Sequence, residues 1–367
     1  MLIRLLLAFL GFSYICSPCL VSADDLKVGV MLHLGGDFAA WGQAYLEGIE
    51  IARAKANAEG GVGGKQISLI VEDIRFDSRV TATASKKLLE VDKVPVALIS
   101  TFTEVMVAGP MFERAKVPLL VIGDSGEEID RLGSYVFSTG TDSSGYSLAA
   151  SHYFREKFKI HKVAIIATNN PWSQANADAF NRDFIAGGGK ILLRQDLNPQ
   201  EADFRTVLQQ VKRSGVDAVF APITSNAIPF FQQAQQLNVS LPILAAGGVL
   251  DTDIIEAAPH AVEGRYVTNS FLDKEKKEAG ELLRLYDAKY HHEPRYPSVV
   301  GRGYDGFMTL LQALRGAAAP SPKEIAEAMY KVDFEGAGFH VQITPQGGAR
   351  LPAHVLQVNQ GKLVRVD

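Results

Sequence analysis

The sequence predicts an α/β protein with two lobes, each built on a parallel sheet that helices cover on both faces. Strand-like runs rich in Val, Ile and Leu, such as 26–32 and 162–168, alternate with segments that carry apolar residues at helical spacing. Such continuous apolar strands are typical of parallel sheets buried between helices. The alternation comes in two series of similar length, which favours two lobes over one continuous sheet. The chain has 367 residues, enough for two ordinary domains.

The first series extends from residue 26 to residue 140. A helical pattern around residues 41–59 follows the first strand-like run, and a second helix is expected to begin at Ser78, a good N-cap residue. A third helical pattern lies in TEVMVAGPMFERAK, after the third run. The strand-like runs of this series are 26–32, 66–73, 94–100, 117–123 and 135–140.

The second series begins with a helical pattern at residue 142 and alternates until about residue 270. Its strand-like runs are KVAIIAT, KILLRQ, VDAVFAPI, LPILAAG and GRYVTNS. The tail that follows differs, because it contains three helical patterns in succession between residues 274 and 332. The last segment, AHVLQVNQGKLVRV, predicts a hairpin of two short strands around NQGK.

The first 23 residues have the features of a secretory signal peptide. Arg4 supplies a positive charge, a short apolar run follows, and small residues end at Ala23, where a signal peptidase would cleave. The run is too short to span a bilayer with ease. Cys16 and Cys19 are the two cysteines of the chain, and both would be removed with this segment. We therefore expect an exported protein without disulfides or thiolate chemistry.

Charge and motif content argue against several functions. The formal net charge of −4 argues against binding of nucleic acid or of anionic membranes. GGVGGKQ at 60–66 lacks the first Gly and the Ser/Thr of a phosphate loop, and its glycines are interpreted as turns. His291, His292 and Glu293 are neighbours in sequence, and adjacent side chains of a helix point apart. We therefore expect neither a metal site nor a cofactor.

One motif leaves an enzymatic alternative open. Gly123, Asp124 and Ser125 follow a strand-like run and resemble the nucleophile block of GDS-type esterases. Such an enzyme would use Ser125 as its nucleophile and a histidine to activate the serine. No histidine of this chain has an aspartate three residues before it, the spacing common near the C-terminus of those enzymes. A strand-end turn that offers a hydroxyl is therefore the preferred interpretation.

Eight segments, taken in chain order, form a characteristic series. They are VGVMLHLGGDFAAWGQAYLEGIEIA, NAEGGVGGKQISLIVED, AKVPLLVIGDS, YVFSTGTDSS, KVAIIAT, DFRTVLQQVKRSGVDAVF, VEGRYVTNS and YDGFMTLLQAL. By this series the chain resembles the leucine/isoleucine/valine-binding family of periplasmic solute-binding proteins (type I). Each segment is moderately specific, whereas the series is highly specific and covers essentially the whole mature chain. The resemblance implies two Rossmann-like lobes joined by three crossovers, without enzymatic activity.

The resemblance also implies lobe bounds and partners. Lobe 1 would comprise residues 24–141 plus 271–345, and lobe 2 would comprise residues 142–270 plus 346–367. The protein would be a periplasmic monomer that closes around a small organic solute by hinge motion and delivers it to an inner-membrane ABC permease. A sensory role, in which the same cleft reports the solute to a membrane receptor, is the alternative.

Binding residues are carried over from the family by position. On lobe 1, Trp41 would flank the ligand, while Phe102 and Thr103 would meet its carboxylate at a helix N-terminus, where amides and the dipole favour anions. The family's second ligand loop corresponds to the turn of Asp124, Ser125 and Gly126. On lobe 2, a tyrosine that closes over the ligand corresponds to Trp172.

Three positions depart from the family pattern. Gly126 occupies a position where the family has a threonine, and Thr224 or Ser225 occupies one where it has a tyrosine. Gly247 occupies the position of the family's glutamate, which binds the ligand ammonium. A buried ammonium without a counter-charge is unfavourable. We therefore expect a small carboxylate with an apolar or aromatic body rather than leucine. An amino acid bound in a different manner, with Asp124 as the compensating carboxylate, is the alternative.

Overall fold

The computed structural model describes residues 25–36, 38–224 and 227–367. The predicted signal peptide, residues 1–23, and Ser225 lie outside the described residues. In chain order the strands are Leu26–Leu32 (β1), Ile67–Asp73 (β2), Ala97–Ile99 (β3), Leu119–Val121 (β4), Asp124–Ser125 (β5), Val136–Ser138 (β6), Thr141–Asp142 (β7), Lys162–Thr168 (β8), Lys190–Leu197 (β9), Ala218–Ala221 (β10), Ile243–Ala246 (β11), Tyr266–Asn269 (β12), Asp333–Glu335 (β13), His340–Gln342 (β14), His354–Asn359 (β15) and Lys362–Arg365 (β16).

Helices connect most of these strands. A π-helical segment, Lys87–Asp92, extends α2, and a 3-10 turn, Gly247–Val249, follows β11. In chain order the α-helices are Ala39–Ala58 (α1), Ser78–Lys86 (α2), Phe102–Ala115 (α3), Glu127–Asp130 (α4), Ser143–Glu156 (α5), Pro171–Ala186 (α6), Arg205–Arg213 (α7), Ala227–Gln236 (α8), Thr252–Ala257 (α9), Pro259–Val262 (α10), Lys277–Tyr290 (α11), Pro297–Gly316 (α12) and Pro322–Met329 (α13).

Two sheets form the cores of the molecule. The first sheet has the strand order β2-β1-β3-β4-β6 and is parallel throughout. The second has the order β16-β15-β12-β11-β10-β8-β9, in which only the hairpin β15–β16 runs antiparallel to its neighbours. The predicted α/β fold with two parallel-sheet cores and the predicted C-terminal hairpin are therefore confirmed.

The chain passes between the two sheets three times. It leaves the first sheet after β6, returns after β12 to the tail helices α11, α12 and α13, and enters the second sheet again at β15. Side chains of the tail helices join the hydrophobic core that surrounds β1 and α1. This course agrees with three crossovers, while the residue bounds given for the two lobes stay a prediction.

Close packing of α1 against α12 positions two groups that matter for the site. A Cβ on Gly48 would lie 2.1 Å from the Val300 carbonyl oxygen, and one on Gly303 would lie 2.3 Å from the Tyr45 carbonyl oxygen. The two glycines therefore let the helix backbones approach each other closely. As a result Tyr45 of α1 and Arg302 of α12 come together at one end of the first sheet.

Local capping explains where the helices begin. Ser78 is the first residue of α2 rather than its cap, because the Asp77 carboxylate accepts hydrogen bonds from the amides of Arg79 and Val80. In α6, Asn170 caps the helix and Pro171 occupies its first turn, where proline is favourable. Among the residues that the structure describes, no helix is both long and apolar enough to cross a membrane.

Candidate functional site

A cavity of about 270 Å³ lies between the two sheets, at the carboxyl ends of their parallel strands. Residues that follow β1, β3, β4, β8, β10 and β11 all contribute to it, which is the usual place for a ligand site in an open parallel sheet. Its described lining residues are His33, Phe38, Trp41, Tyr45, Phe76, Ser100, Thr101, Phe102, Thr103, Asp124, Tyr146, Asn170, Pro171, Trp172, Pro199, Thr224, Gly247, Gly248 and Arg302.

Aromatic rings dominate this lining. Trp41 and Tyr45 project from α1 of the first sheet's side, and Tyr146 and Trp172 project from α5 and α6 of the second sheet's side. The Tyr146 and Trp172 rings meet edge to face, with centroids 6.3 Å apart. Trp41 and Trp172 are the two tryptophans of the whole chain. Tryptophan fluorescence therefore reports directly on this cavity.

Trp41 also connects the two sides of the cleft. Its indole Nε1 donates a hydrogen bond of 2.6 Å to the carboxylate of Asp251, which follows β11 and caps α9. Gly248 lies directly against the ring, since a Cβ there would be 1.7 Å from the Trp41 Cη2 atom. Gly247 leaves similar room for Trp172, since a Cβ on Gly247 would lie 2.8 Å from the Trp172 Cζ2 atom. The two glycines therefore let both tryptophans close over the cavity.

A second contact between the sides lies just outside the cavity. Arg295, which precedes α12, donates to the carboxylates of Asp253 and Glu256 on α9, each at 2.6 Å. The Tyr296 hydroxyl also donates to Asp253. These groups are partly exposed, and each exposed ion pair contributes at most about 1 kcal/mol. The contact adds modestly to the association of the two sides.

Asp124 follows β4 and presents its carboxyl group to the cavity. One of its oxygens accepts a 2.9 Å hydrogen bond from the Phe102 amide, the first amide of α3. Burial raises the pKa of Asp124 to about 6, whereas the positive charge of Arg302 and hydrogen bonds from the Phe102 amide and the Trp172 side chain act in the opposite direction. The carboxyl group therefore titrates close to neutral pH.

Arg302 lies at the base of the cavity, 6% exposed. Its Nη1 donates to the Gly123 carbonyl at 2.9 Å, and its guanidinium lies 5.2 Å from the centre of the Tyr45 ring and 5.8 Å from that of Trp41. Its Nε–H has no acceptor among the described residues. A buried guanidinium donor without a partner is unfavourable, so Arg302 would be stabilised by any acceptor that reaches this donor.

His33 follows β1 and is buried beside the cavity. Its Nδ1 pairs with the Ser100 hydroxyl at 3.2 Å. Burial, with a smaller contribution from the positive charge of Arg302, lowers the pKa of His33 to about 4 against the opposing effect of the Asp73 carboxylate. The imidazole is therefore neutral at physiological pH, so it adds a polar group to the lining but no positive charge.

Polar groups of the second sheet's side are held by hydrogen bonds. The Thr224 hydroxyl accepts from the Asn170 side-chain amide at 2.7 Å, and the Thr224 amide donates to the Thr168 hydroxyl at 3.1 Å. Thr224 thus lies in the lining with its orientation fixed by β8 and the start of α6.

Most of the predicted binding residues come together in the cavity. Seven of them line it: Trp41, Phe102, Thr103, Asp124, Trp172, Thr224 and Gly247. Ser125 and Gly126 do not. The Ser125 hydroxyl is fully buried and donates to the Gly140 carbonyl at 2.7 Å, which serves the pairing of β5 with β7 rather than a nucleophile's role. Gly126 precedes α4 with a φ of 143°, a conformation that favours glycine.

Several lining residues were missed by reasoning from the sequence. Tyr45 stands one helical turn after Trp41, so it lies on the same face of α1. Arg302 and Asp305 are the two charged residues inside the otherwise apolar pattern VVGRGYDGF, which was a usable signal because charged side chains are rarely fully buried unless they are paired. His33 and Tyr146 had no signal of this kind. Among the described residues, no group of three or more His, Cys, Asp or Glu side chains could hold a metal ion.

Comparison with known proteins extends this description. A family model described as periplasmic binding protein matches residues 25–362. A Leu/Ile/Val-binding protein homolog 2 from Brucella abortus (strain 2308) is 25% identical over 329 residues, which cover 86% of this chain and 87% of that protein.

Solved structures share the fold. The leucine binding protein LivK from Thermotoga maritima MSB8 superposes with a TM-score of 0.86 at 24% identity, covering 93% of this chain and 98% of that one. LivJ from Streptococcus pneumoniae, in complex with isoleucine, gives 0.84 at 24% identity, covering 93% and 100%. A solute binding protein from R. palustris, in complex with 4-hydroxybenzoate, gives 0.84 at 20% identity, covering 94% and 96%.

Proposed function

The chain belongs to the periplasmic binding protein family, and we propose that it is the solute receptor of an ABC importer that binds one small organic solute in the cleft. The observation that carries this proposal is the aromatic cavity of about 270 Å³, to which strand ends of both sheets contribute. A ligand in such a place contacts both halves of the molecule at once, as a solute receptor requires.

The lining supports an amino acid or a small carboxylate as the ligand class. An apolar cavity of about 150 Å³ is large enough for benzene, so the present volume has room for one ring or branched chain and a polar group. The related structures bind isoleucine in one case and 4-hydroxybenzoate in another, which are both of this size and both carboxylates. A polyol would find too few polar partners among these rings.

Closure of the cleft is the proposed mechanism. A solute that contacts Trp41 from one lobe and Trp172 from the other stabilises the closed form over the open form by its extra contacts. The lobes would be residues 24–141 plus 271–345 and residues 142–270 plus 346–367, with the three chain passages as hinges. An inner-membrane permease would then recognise the closed form. The chain would reach the periplasm by export, with its signal peptide cleaved after Ala23.

A ligand screen on the mature protein tests this function. After removal of any solute that co-purifies, the melting temperature is measured with amino acids, aliphatic and aromatic carboxylates, amides and polyols. A ligand at a hundred times its Kd adds about 2.7 kcal/mol to the free energy of unfolding, which a thermal shift detects readily. We expect a hit that also changes tryptophan fluorescence, since both tryptophans line the cavity. A complete panel without a hit would count against a solute receptor.

A further inference from the structure

We infer that the solute is a monocarboxylate with an aromatic or branched apolar body and no α-ammonium group, and that Arg302 binds its carboxylate. This inference rests on the proposed function, because it names the ligand class of the same cavity. It also assigns a binding role to a residue that the positional resemblance did not include.

Arg302 is the group of the cavity that is suited to a ligand anion, although the Asp124 carboxyl group already lies within reach of its charge. Among the lining residues that the structure describes, it is the only arginine or lysine. Its Nη1 is held by the Gly123 carbonyl, and Tyr146 also hydrogen-bonds its side chain. The Nε–H is buried and has no acceptor among the described residues. A ligand carboxylate that reaches this donor from the cavity would supply the acceptor.

The start of α3 is poorly suited to a second carboxylate. Asp124 already accepts the first amide of this helix, the place where the family resemblance puts the carboxylate of the ligand. The Glu104 carboxylate lies buried in the same turn and accepts from the Thr101 hydroxyl. A ligand anion at that point would face two acidic side chains. At Arg302 the positive guanidinium offsets the negative charge of Asp124, which makes Arg302 the better anchor for the ligand carboxylate.

Asp124 is also the only acidic side chain of the described lining, so it is the one possible partner for an ammonium. Its carboxyl group is already bound to the Phe102 amide and to Trp172. Gly247, which replaces the family's ammonium-binding glutamate, is covered by the Trp172 ring instead. The site thus presents one anion-binding group and rings, but no separate partner for an α-ammonium.

The sign of the pH dependence distinguishes the two ligand classes. Arg302, Glu104, Tyr45 and Tyr146 are the charged or titratable groups that act on Asp124. A ligand carboxylate adds negative charge beside Asp124 and raises its pKa further, so binding takes up a proton and the Kd rises as pH rises above about 6. An ammonium would lower the pKa of Asp124, so binding would release a proton and the Kd would fall as pH rises toward about 6.

Matched ligands test the inference without any mutation. Calorimetry on the mature protein compares 3-phenylpropionate with phenylalanine, 4-methylpentanoate with leucine, and both acids and benzoate with their carboxamides. We expect at least one acid to bind roughly 10-fold or more tightly than its amino acid and its amide. Tighter binding by the amino acid or the amide in every pair, or no binding by any of the acids, overturns the inference.

Variants then test the residues. In Arg302→Met we expect the ratio of the amide Kd to the acid Kd to fall roughly 10- to 100-fold. Arg302→Lys should recover part of this ratio, because lysine keeps the positive charge but cannot bind both carboxylate oxygens as the planar guanidinium does. Arg265→Met is the matched control, because Arg265 is half-buried and donates to the carbonyls of Val239 and Leu241 outside the lining. In Asp124→Asn we expect binding to be retained and its pH dependence lost. An undiminished preference in Arg302→Met, or loss of binding in Asp124→Asn, contradicts the inference.

Failure of this inference is distinguishable from failure of the proposed function. If polyols, amides or amino acids bind and change tryptophan fluorescence while none of the acids binds more tightly, the solute receptor stands and the inferred ligand class is wrong. If no solute of the broad panel binds, both are wrong. The melting temperature of each variant without ligand shows whether a lost affinity arises from a damaged fold.

Discussion

Gly248→Ala should impair closure of the cleft while leaving each lobe intact. The backbone of Gly248 has a φ of −69° and a ψ of 15°, which alanine adopts without strain. In the closed arrangement, however, the new Cβ would lie 1.7 Å from Trp41 Cη2 and 2.0 Å from Cζ2, whereas ordinary contacts are 3.4–4 Å. The indole must therefore move by about 2 Å, or the two sides must separate.

The magnitude follows from the contact that this movement breaks. Trp41 would lose its 2.6 Å hydrogen bond to the carboxylate of Asp251. A hydrogen bond to a charged group contributes about 1.5–3 kcal/mol. In the proposed mechanism the ligand binds the closed form, so the same free energy is lost from ligand binding. The expected result is a Kd that rises roughly 10- to 150-fold.

Tryptophan fluorescence titration measures this change, because both tryptophans line the cavity. Gly280→Ala in α11 is the matched control, since its nearest neighbour is the Lys274 carbonyl oxygen at 3.9 Å and the site is exposed. The control should keep its affinity, and neither variant should have a lower melting temperature without ligand. A Gly248→Ala variant that binds as tightly as the wild type would refute the closed geometry around Trp41.

Three further predictions address single contacts. Trp41→Phe keeps a ring but removes the donor to Asp251, so calorimetry should show roughly 10-fold or greater loss of affinity; an unchanged Kd would mean that this bond does not hold the cleft closed. Asp305→Ala removes the acceptor of two backbone amides, those of Ala337 and Gly338. Urea unfolding should therefore show that the free energy of unfolding falls by about 2–5 kcal/mol, and a fall below about 1 kcal/mol would contradict this. His33→Gln should reduce the loss of folding stability at acid pH. In the wild type the unfolded chain binds a proton at His33 below about pH 6.5, whereas the folded chain binds it only below about pH 4. The free energy of unfolding therefore falls as pH falls from about 6.5 to about 4, by at most about 3 kcal/mol. Equal pH profiles for the variant and the wild type would contradict it.

Local patterns predicted the elements of the fold because each pattern has a direct physical cause. Continuous apolar runs become parallel strands, and the tail helices and the NQGK hairpin lie where their periodicity places them. The N-cap of α2 is Asp77 rather than Ser78, since both residues favour a cap and only the carboxylate reaches the two free amides. Such one-residue choices depend on backbone geometry that a sequence pattern does not contain.

The site was predictable where it follows strand ends and was missed where it depends on distant packing. Trp41, Asp124 and Trp172 lie in the segments that follow β1, β4 and β8, and the cavity lies at those strand ends. Arg302 reaches the cavity only because α12 returns to the first sheet and packs closely on α1 through glycines. Ser125 turns away because β5 pairs with β7 and the Gly140 carbonyl takes its hydroxyl. Both effects involve residues far apart in the chain.

A crystal structure with the tightest ligand of the panel tests the central claim most directly. We predict one solute in the cavity, in contact with Trp41 and Trp172 from opposite sides. An oxygen of the solute should accept a hydrogen bond from the Nε–H of Arg302. A ligand bound elsewhere, or one held by a single lobe while Arg302 keeps no ligand contact, would contradict both the cleft as the site and the anchoring of a carboxylate there.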